Sequence, residues 1–247
     1  MNNTKKDRIG ERYINNQGSW CTIVNYKNNA DLTVKFDSGY VVKTRMADVK
    51  KGGVKDLLFP TVLGHGYVGI GEYKVSENGK ATEAYAVWHS MLNRCYNPKS
   101  KQSCPTYEEC YVCDEWLNFQ MFAEWHYEQN KPEGWQIDKD LTQIGNRVYS
   151  PQFCTFVPRE INSLLCDHRN ARGNHKQGVC FSLSKNKYSA TISIDGKIKF
   201  LGYFLSENEA YNVYKKAKEE TVKMVANRYK NEISEEVYNS LIKWTLQ

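Results

Sequence analysis

The apolar residues of this chain change period three times, and those changes limit what it can fold into. Between Trp20 and Thr44 they alternate, as Leu32, Val34 and Phe36 do, which is the two-residue repeat of a half-buried strand. From Thr82 the repeat becomes helical: Ala84, Val87, Trp88, Met91, Leu92 and Cys95 share one face, until Pro98 forbids continuation. Beyond Trp135 short strand signals return, and a long helical repeat closes the chain. Neither a helical bundle nor a pure β-sandwich accommodates that order, so the expectation is an α+β protein with several small cores.

Three domains are expected. Residues 1–75 read as a small β-barrel, with strands over Trp20–Tyr26, Leu32–Phe36 and Tyr40–Thr44 and turns at Asn28–Asp31 and Asp37–Gly39. The glycine-rich run from Gly64 to Tyr73 lacks the following helix of a dinucleotide fingerprint, so it reads as a turn leading out of that barrel. Residues 80–166 hold two helices, the second from Glu115 to about Gln129 with a broad aromatic face, expected to buttress the stretch from Trp135 to Leu165. Residues 175–247 hold three strands (Val179–Leu183, Tyr188–Ile194, Lys197–Phe204) with a hairpin turn at Asp195-Gly196. A capping box at Ser206 and Glu209 then opens a long helix, and a last helix runs from Glu235 to Trp244.

The chemistry concentrates between Trp135 and Leu165. Asp138 and Asp140 end a short strand signal, a Gly145-Asn146 turn and a second apolar run come next, and Asn162 sits on the inward face of a helix start. Oxygen donors drawn from strand, loop and helix suit a hard divalent cation, Mg²⁺ or Mn²⁺.

Charge is distributed to match. Residues 1–80 carry 13 Lys+Arg against 8 Asp+Glu, residues 81–163 carry 7 against 11, and residues 164–247 carry 14 against 9. Basic ends flanking an acidic centre fit a polyanion held against a cation site. No run approaches the ~18 uninterrupted apolar residues of a membrane helix, and the first residues lack the apolar core of a signal peptide, so a cytoplasmic protein with no membrane association is expected.

The segment from Gly178 to Ala217 carries Gly178-Val179, Tyr188, Ala190, Ile192, Leu201-Gly202, Phe204, Glu209-Ala210 and Ala217, and it resembles the APETALA-type (ethylene-response-factor) DNA-binding domain. The resemblance implies a sheet that enters the major groove of double-stranded DNA, with Lys185, Lys187, Lys197 and Lys199 as contacts. Lysines at alternate strand positions are expected to face one way, away from the core. The basic linker adds Arg169, Arg172 and Lys176, whereas the first domain's own residues support only a folded β module.

The centre resembles the degenerate HNH (His-Me finger) nucleases of phages, through Trp88-x2-Met91-x2-Arg94-Cys95-Tyr96, Val112-Cys113-x-Glu115-Trp116, Asp138-Lys139-Asp140, Asn146, Tyr149-Ser150-Pro151, Cys154-x-Phe156-Val157-Pro158 and Ile161-Asn162. That resemblance implies a ββα-metal fold with Asp138 as metal-binding acid, Asn146 as loop asparagine and Asn162 as helix ligand. Small barrels precede the nuclease in similar phage proteins, so it also implies a second backbone-binding role for the first domain. Lys139 stands where the family's histidine base belongs. An ordinary lysine pKa of about 10.4, surrounded by carboxylates, makes it a poor base. Three readings remain open: Asp140, on the strand face of Asp138, binds metal or activates its water; Lys139 clamps phosphate; or the nuclease is inactive and the fold serves DNA binding.

Cys95, Cys104, Cys110 and Cys113 are a candidate tetrahedral zinc set at unorthodox spacing, although Cys95 reads more simply as a small buried apolar residue. The five histidines form no catalytic pattern. The expected function is a phage or mobile-element DNA endonuclease using Mg²⁺ or Mn²⁺. The alternative is an inactive DNA-binding regulator, or an interaction protein whose partner is a host or phage protein.

Overall fold

The structure, a computed structural model, describes residues 7–166 and 174–246. It is a mixed α+β protein with several small sheets, and it divides into two compact units. One ends at Asn130 and takes in Arg147–Gln152; the other comprises Lys131–Asn146 and the chain from Phe153 onward.

The first unit begins with a four-stranded antiparallel sheet of β1 (Arg12–Ile14), β2 (Trp20–Asn28), β3 (Asp31–Phe36) and β4 (Val41–Thr44), in the order β1-β2-β3-β4. The expected barrel is not formed. β1 and β4 are opposite edges, and at three and four residues they are too short to curl round and pair. A short helix, α1 (Met46–Lys50), supplies the missing wall: Met46 and Val49 close over Cys21, Ile23, Leu32, Val34 and Phe36. Buried Asp56 is satisfied by the hydroxyls of Ser19 (2.6 Å) and Ser38 (2.9 Å), as a carboxylate removed from water requires.

A two-stranded ribbon, β5 (Ser76–Glu77) with β6 (Lys80–Ala81), leads into α2 (Glu83–Tyr96), whose first turn is capped by the Thr82 hydroxyl accepting from the Tyr85 amide. Then come α3 (Pro98–Ser103), a single 3₁₀ turn at Pro105–Tyr107, and β7 (Tyr111–Val112). The long second helix expected from Glu115 is two helices, α4 (Asp114–Leu117) and α5 (Phe119–Glu128). The break falls at Asn118, which leaves helical geometry to cap α5 through its side chain and to bridge Tyr67 of the glycine-rich run. That run lies against the helices: a side chain at Gly66 would collide with Trp88 and Leu92. Trp88, Met91, Leu92, Trp116, Phe119 and Phe122 form the buried aromatic interior, pinned by a 2.6 Å bond from the Trp88 indole to the Trp116 carbonyl.

In the second unit β8 (Gln136–Asp138) pairs antiparallel with β10 (Thr155–Val157), and α6 (Arg159–Leu165) comes directly after. Between them β9 (Val148–Tyr149) belongs to the first unit, parallel to β7. The strands β11 (Val179–Ser182), β12 (Lys187–Ile194) and β13 (Lys197–Phe204) form an antiparallel sheet, followed by α7 (Glu207–Arg228) and α8 (Glu235–Lys243). The capping box is present: the Ser206 hydroxyl accepts from the Glu209 amide, and the Glu209 carboxylate accepts from the Leu205 amide, both at 3.2 Å.

Helix α7 has two partners. Ala210 and Tyr214 in its first half pack beneath Val179, Ala190 and Ile192 of the sheet. Val222, Val225 and Ala226 in its second half share a core with Leu141, Val157 and Ile161 of the β8–β10–α6 motif and with α8. Ile161→Ala removes a side chain that is 1% exposed at that junction, so it should cost about 2–5 kcal/mol in urea unfolding. A wild-type midpoint would mean that α6 is not docked on α7.

Candidate functional site

β8 ends at Asp138 because that side chain turns the chain. Its Oδ1 accepts the backbone amides of Asp140 (3.0 Å) and Leu141 (2.8 Å), a local bond pattern that stops a strand. Asp140 therefore does not lie on the strand face of Asp138, as alternation predicts. The turn nevertheless keeps the two carboxyls close. Burial, with the Asp140 charge second, pushes the Asp138 carboxyl above the usual carboxylate range, against the pull of its two amide donors.

Lys139 is the most enclosed of the expected catalytic residues, its side chain only 9% exposed. Its ammonium donates to the Asp140 carboxylate (3.0 Å) and to the Asn146 carbonyl (2.7 Å), while the Asn146 amide donates back to the Lys139 carbonyl (2.6 Å). Lys139 and Asn146 thus clasp the loop that leaves β8. This is a structural use of both residues, and the sequence offered no signal for it beyond their seven-residue spacing.

Asn162 reaches back from α6 and donates to the Gln136 side chain at 2.7 Å. Gln136 stands two residues from Asp138 on β8, so the Asn162 amide meets the strand face that bears the carboxyl. Sequence reasoning missed Gln136, and alternation from Asp138 was the signal that could have found it. It also missed Glu160, which accepts from Arg228 (2.6 Å) and Tyr229 (2.9 Å) at the end of α7, while Arg228 also pairs with Asp195 in the β12–β13 turn.

The donor set of Asp138, Asp140, Asn162 and Gln136 is wholly oxygen-bearing and includes a carboxyl pair whose repulsion a divalent cation would relieve, so these residues fit Mg²⁺ or Mn²⁺. Among the described residues no three His, Cys, Asp or Glu side chains come together as a metal-holding group. The four candidate zinc cysteines are free thiols in different settings: Cys95 and Cys110 buried, Cys113 half-buried, Cys104 exposed.

Register decides which lysines face outward from the β11–β13 sheet. Ala190 and Ile192 point to the core, so Lys187, Ser189, Thr191 and Ser193 point away from α7. Lys197 and Lys199 pair with Ile194 and Ile192, which puts them on the helix side at an exposed edge, contrary to the expectation that all the strand lysines share the outer face. The cause is parity across the β12–β13 ladder, whose register also shifts at Ala190/Thr191. Ile198, Phe200 and Tyr203 take the outward positions on β13, Phe200 and Tyr203 edge to face at 4.9 Å. Lys185 lies in the turn beside Lys187. Lys176 is drawn to α7 by Asn208 (2.6 Å) and the Tyr211 ring, whereas Arg169 and Arg172 lie outside the described residues.

Among the described residues no helix is long and apolar enough to cross a membrane. Comparison with known proteins gives no match to any family model, curated protein or solved structure.

The raised Asp138 carboxyl has a signed consequence for stability. In metal-free buffer, as pH climbs from the unfolded value near 3.9 toward the higher folded value, the unfolded chain releases its proton first, so stability falls across that window. Asp138→Asn keeps an acceptor oxygen for the two amides and should flatten this fall and raise the melting midpoint at neutral pH. A midpoint lower than wild type throughout would show that the ionised carboxylate is the stabilising form.

Proposed function

We propose that this chain is a DNA endonuclease of the HNH type, of the kind that phages and mobile elements encode. Its β11–β13 sheet grips double-stranded DNA, and the Asp138 site cleaves a phosphodiester bond. The observation that supports this most is the two-partner packing of α7, which places an exposed sheet and a carboxyl pair in one compact unit. A surface that holds DNA and a group that attacks it must keep a fixed separation, because misplacement by about 1 Å can cost two orders of magnitude in rate.

Asp138 and Asp140, with the amides of Asn162 and Gln136, are the residues that would hold Mg²⁺ or Mn²⁺. Such an ion, when bound, polarises a phosphoryl oxygen and lowers the pKa of water. The chain's own contribution is to orient. The Asp138 turn fixes its carboxyl through two amides, Asn162 ties α6 to β8, and Lys139 places a positive charge beside the pair without giving up a proton. Lys139 stands where the family's histidine base belongs, and its ammonium is already bonded to the Asp140 carboxylate and the Asn146 carbonyl.

That last point favours a second reading, in which the protein binds DNA without cutting it. The clasp between Lys139 and Asn146 uses both expected catalytic residues to hold a loop. One experiment separates the readings: supercoiled plasmid incubated with Mg²⁺, Mn²⁺ or EDTA, beside a gel shift. The nuclease reading expects nicking that needs metal and is lost in Asp138→Ala, with the shift retained. A shift without nicking in either metal selects the non-cleaving regulator. Neither activity would point to a protein partner.

A further inference from the structure

The first unit holds a groove of about 410 Å³ between α2, α3 and the 3₁₀ turn, lined by Ser90, Asn93, Arg94, Lys99, Ser100 and Ser103 among others. No carboxylate lines it, although residues 81–163 carry more acids than bases. The nearby Glu109 carboxylate pairs with Arg147, away from the groove lining. The polar groups are also oriented. The Asn97 amide donates to the Asn93 oxygen (2.8 Å), and the Asn93 amide donates to the Ser100 oxygen (2.8 Å), so the Ser100 hydroxyl proton is left to donate outward. Arg94, half-buried, lies over the Tyr107 ring, which limits the orientations of its planar guanidinium.

We infer that this groove binds a backbone phosphate of double-stranded DNA, a contact separate from the β11–β13 sheet and from the Asp138 site. The Arg94 guanidinium, which also bonds the Tyr149 hydroxyl, lines this groove with the Lys99 ammonium and the serine hydroxyls and with no acid among them, a set that matches a phosphodiester and carries no base information. The groove is shallow, which suits a backbone passing across it better than an enclosed small anion. This inference rests on the DNA-binding reading of the whole chain, and the test keeps the two apart.

The full chain is titrated by fluorescence anisotropy with a duplex of arbitrary sequence over a range of salt. Lys99 is exposed, so Lys99→Glu leaves the fold intact; Arg94→Lys is the companion that keeps charge but loses the planar fork. Loss of one phosphate contact should weaken Lys99→Glu by about five-fold or more at about 0.15 M salt and flatten the log–log salt slope by about 0.9, whatever the DNA sequence. Arg94→Lys should weaken binding with an unchanged slope. Wild-type affinity and slope in both variants overturn the groove and leave DNA binding by the sheet standing. Displacement by inorganic phosphate beyond that of matched ionic strength, with DNA affinity intact in Lys99→Glu, makes the groove a free-anion site and also overturns the inference. No DNA binding by the wild-type chain overturns both readings together.

Discussion

The packing of α7 against two unlike partners is the constraint on which the rest of the second unit depends. A helix of 22 residues is about 33 Å long, enough to bury one half under a sheet and the other against a separate motif. The close approach at the sheet end is set by Gly178, where any side chain would run into the Tyr214 ring and where the backbone has a positive φ of 73°. At the other end Val222, Val225 and Ala226 fill the space left by Leu141, Val157 and Ile161. Arg228 then ties Glu160 of α6 to Asp195 of the β12–β13 turn. These ion pairs are solvent-accessible, so their contribution to stability is small; what they supply is direction.

Within that frame the Asp138 region combines two opposed demands. Burial and the crowded carboxyl pair raise the cost of charging Asp138, while two backbone amides lower it. A divalent cation, if bound there, would supply the positive charge that the carboxyl pair lacks. The same Lys139 that supplies charge also forfeits a base, and its bonds to Asp140 and Asn146 make it part of the loop's architecture.

Much of the fold was legible because local signals agree with the outcome. The strands of the last sheet, the capping box at Ser206 and Glu209, and the apolar face of α2 carry their period and their caps in adjacent residues. The failures share a physical cause, which is interaction between residues distant in sequence. The open first sheet is completed by α1, which no strand pattern announces. The split at Asn118 is fixed by a bridge to Tyr67. The facing of Lys197 and Lys199 comes from their pairing with β12. Of the candidate site, Asp138, Asn146 and Asn162 were singled out from strand, turn and helix signals and Lys139 through the HNH resemblance, whereas Gln136 and the Glu160–Arg228 contact became visible only once strand and helix had been brought together.

The outer face of the β11–β13 sheet presents hydroxyls from Ser189, Thr191 and Ser193 beside Ile198, Phe200 and Tyr203, bordered by Lys185 and Lys187. Hydroxyls and apolar groups can meet base edges and thymine methyls, and lysines at the border can meet phosphates. Hydrogen–deuterium exchange of the full chain, with and without duplex DNA, reads that face directly. DNA binding by this face predicts slowed exchange in the amides of β12 and β13 on adding duplex, reversed at high salt. Exchange in both strands unchanged by saturating duplex would contradict it.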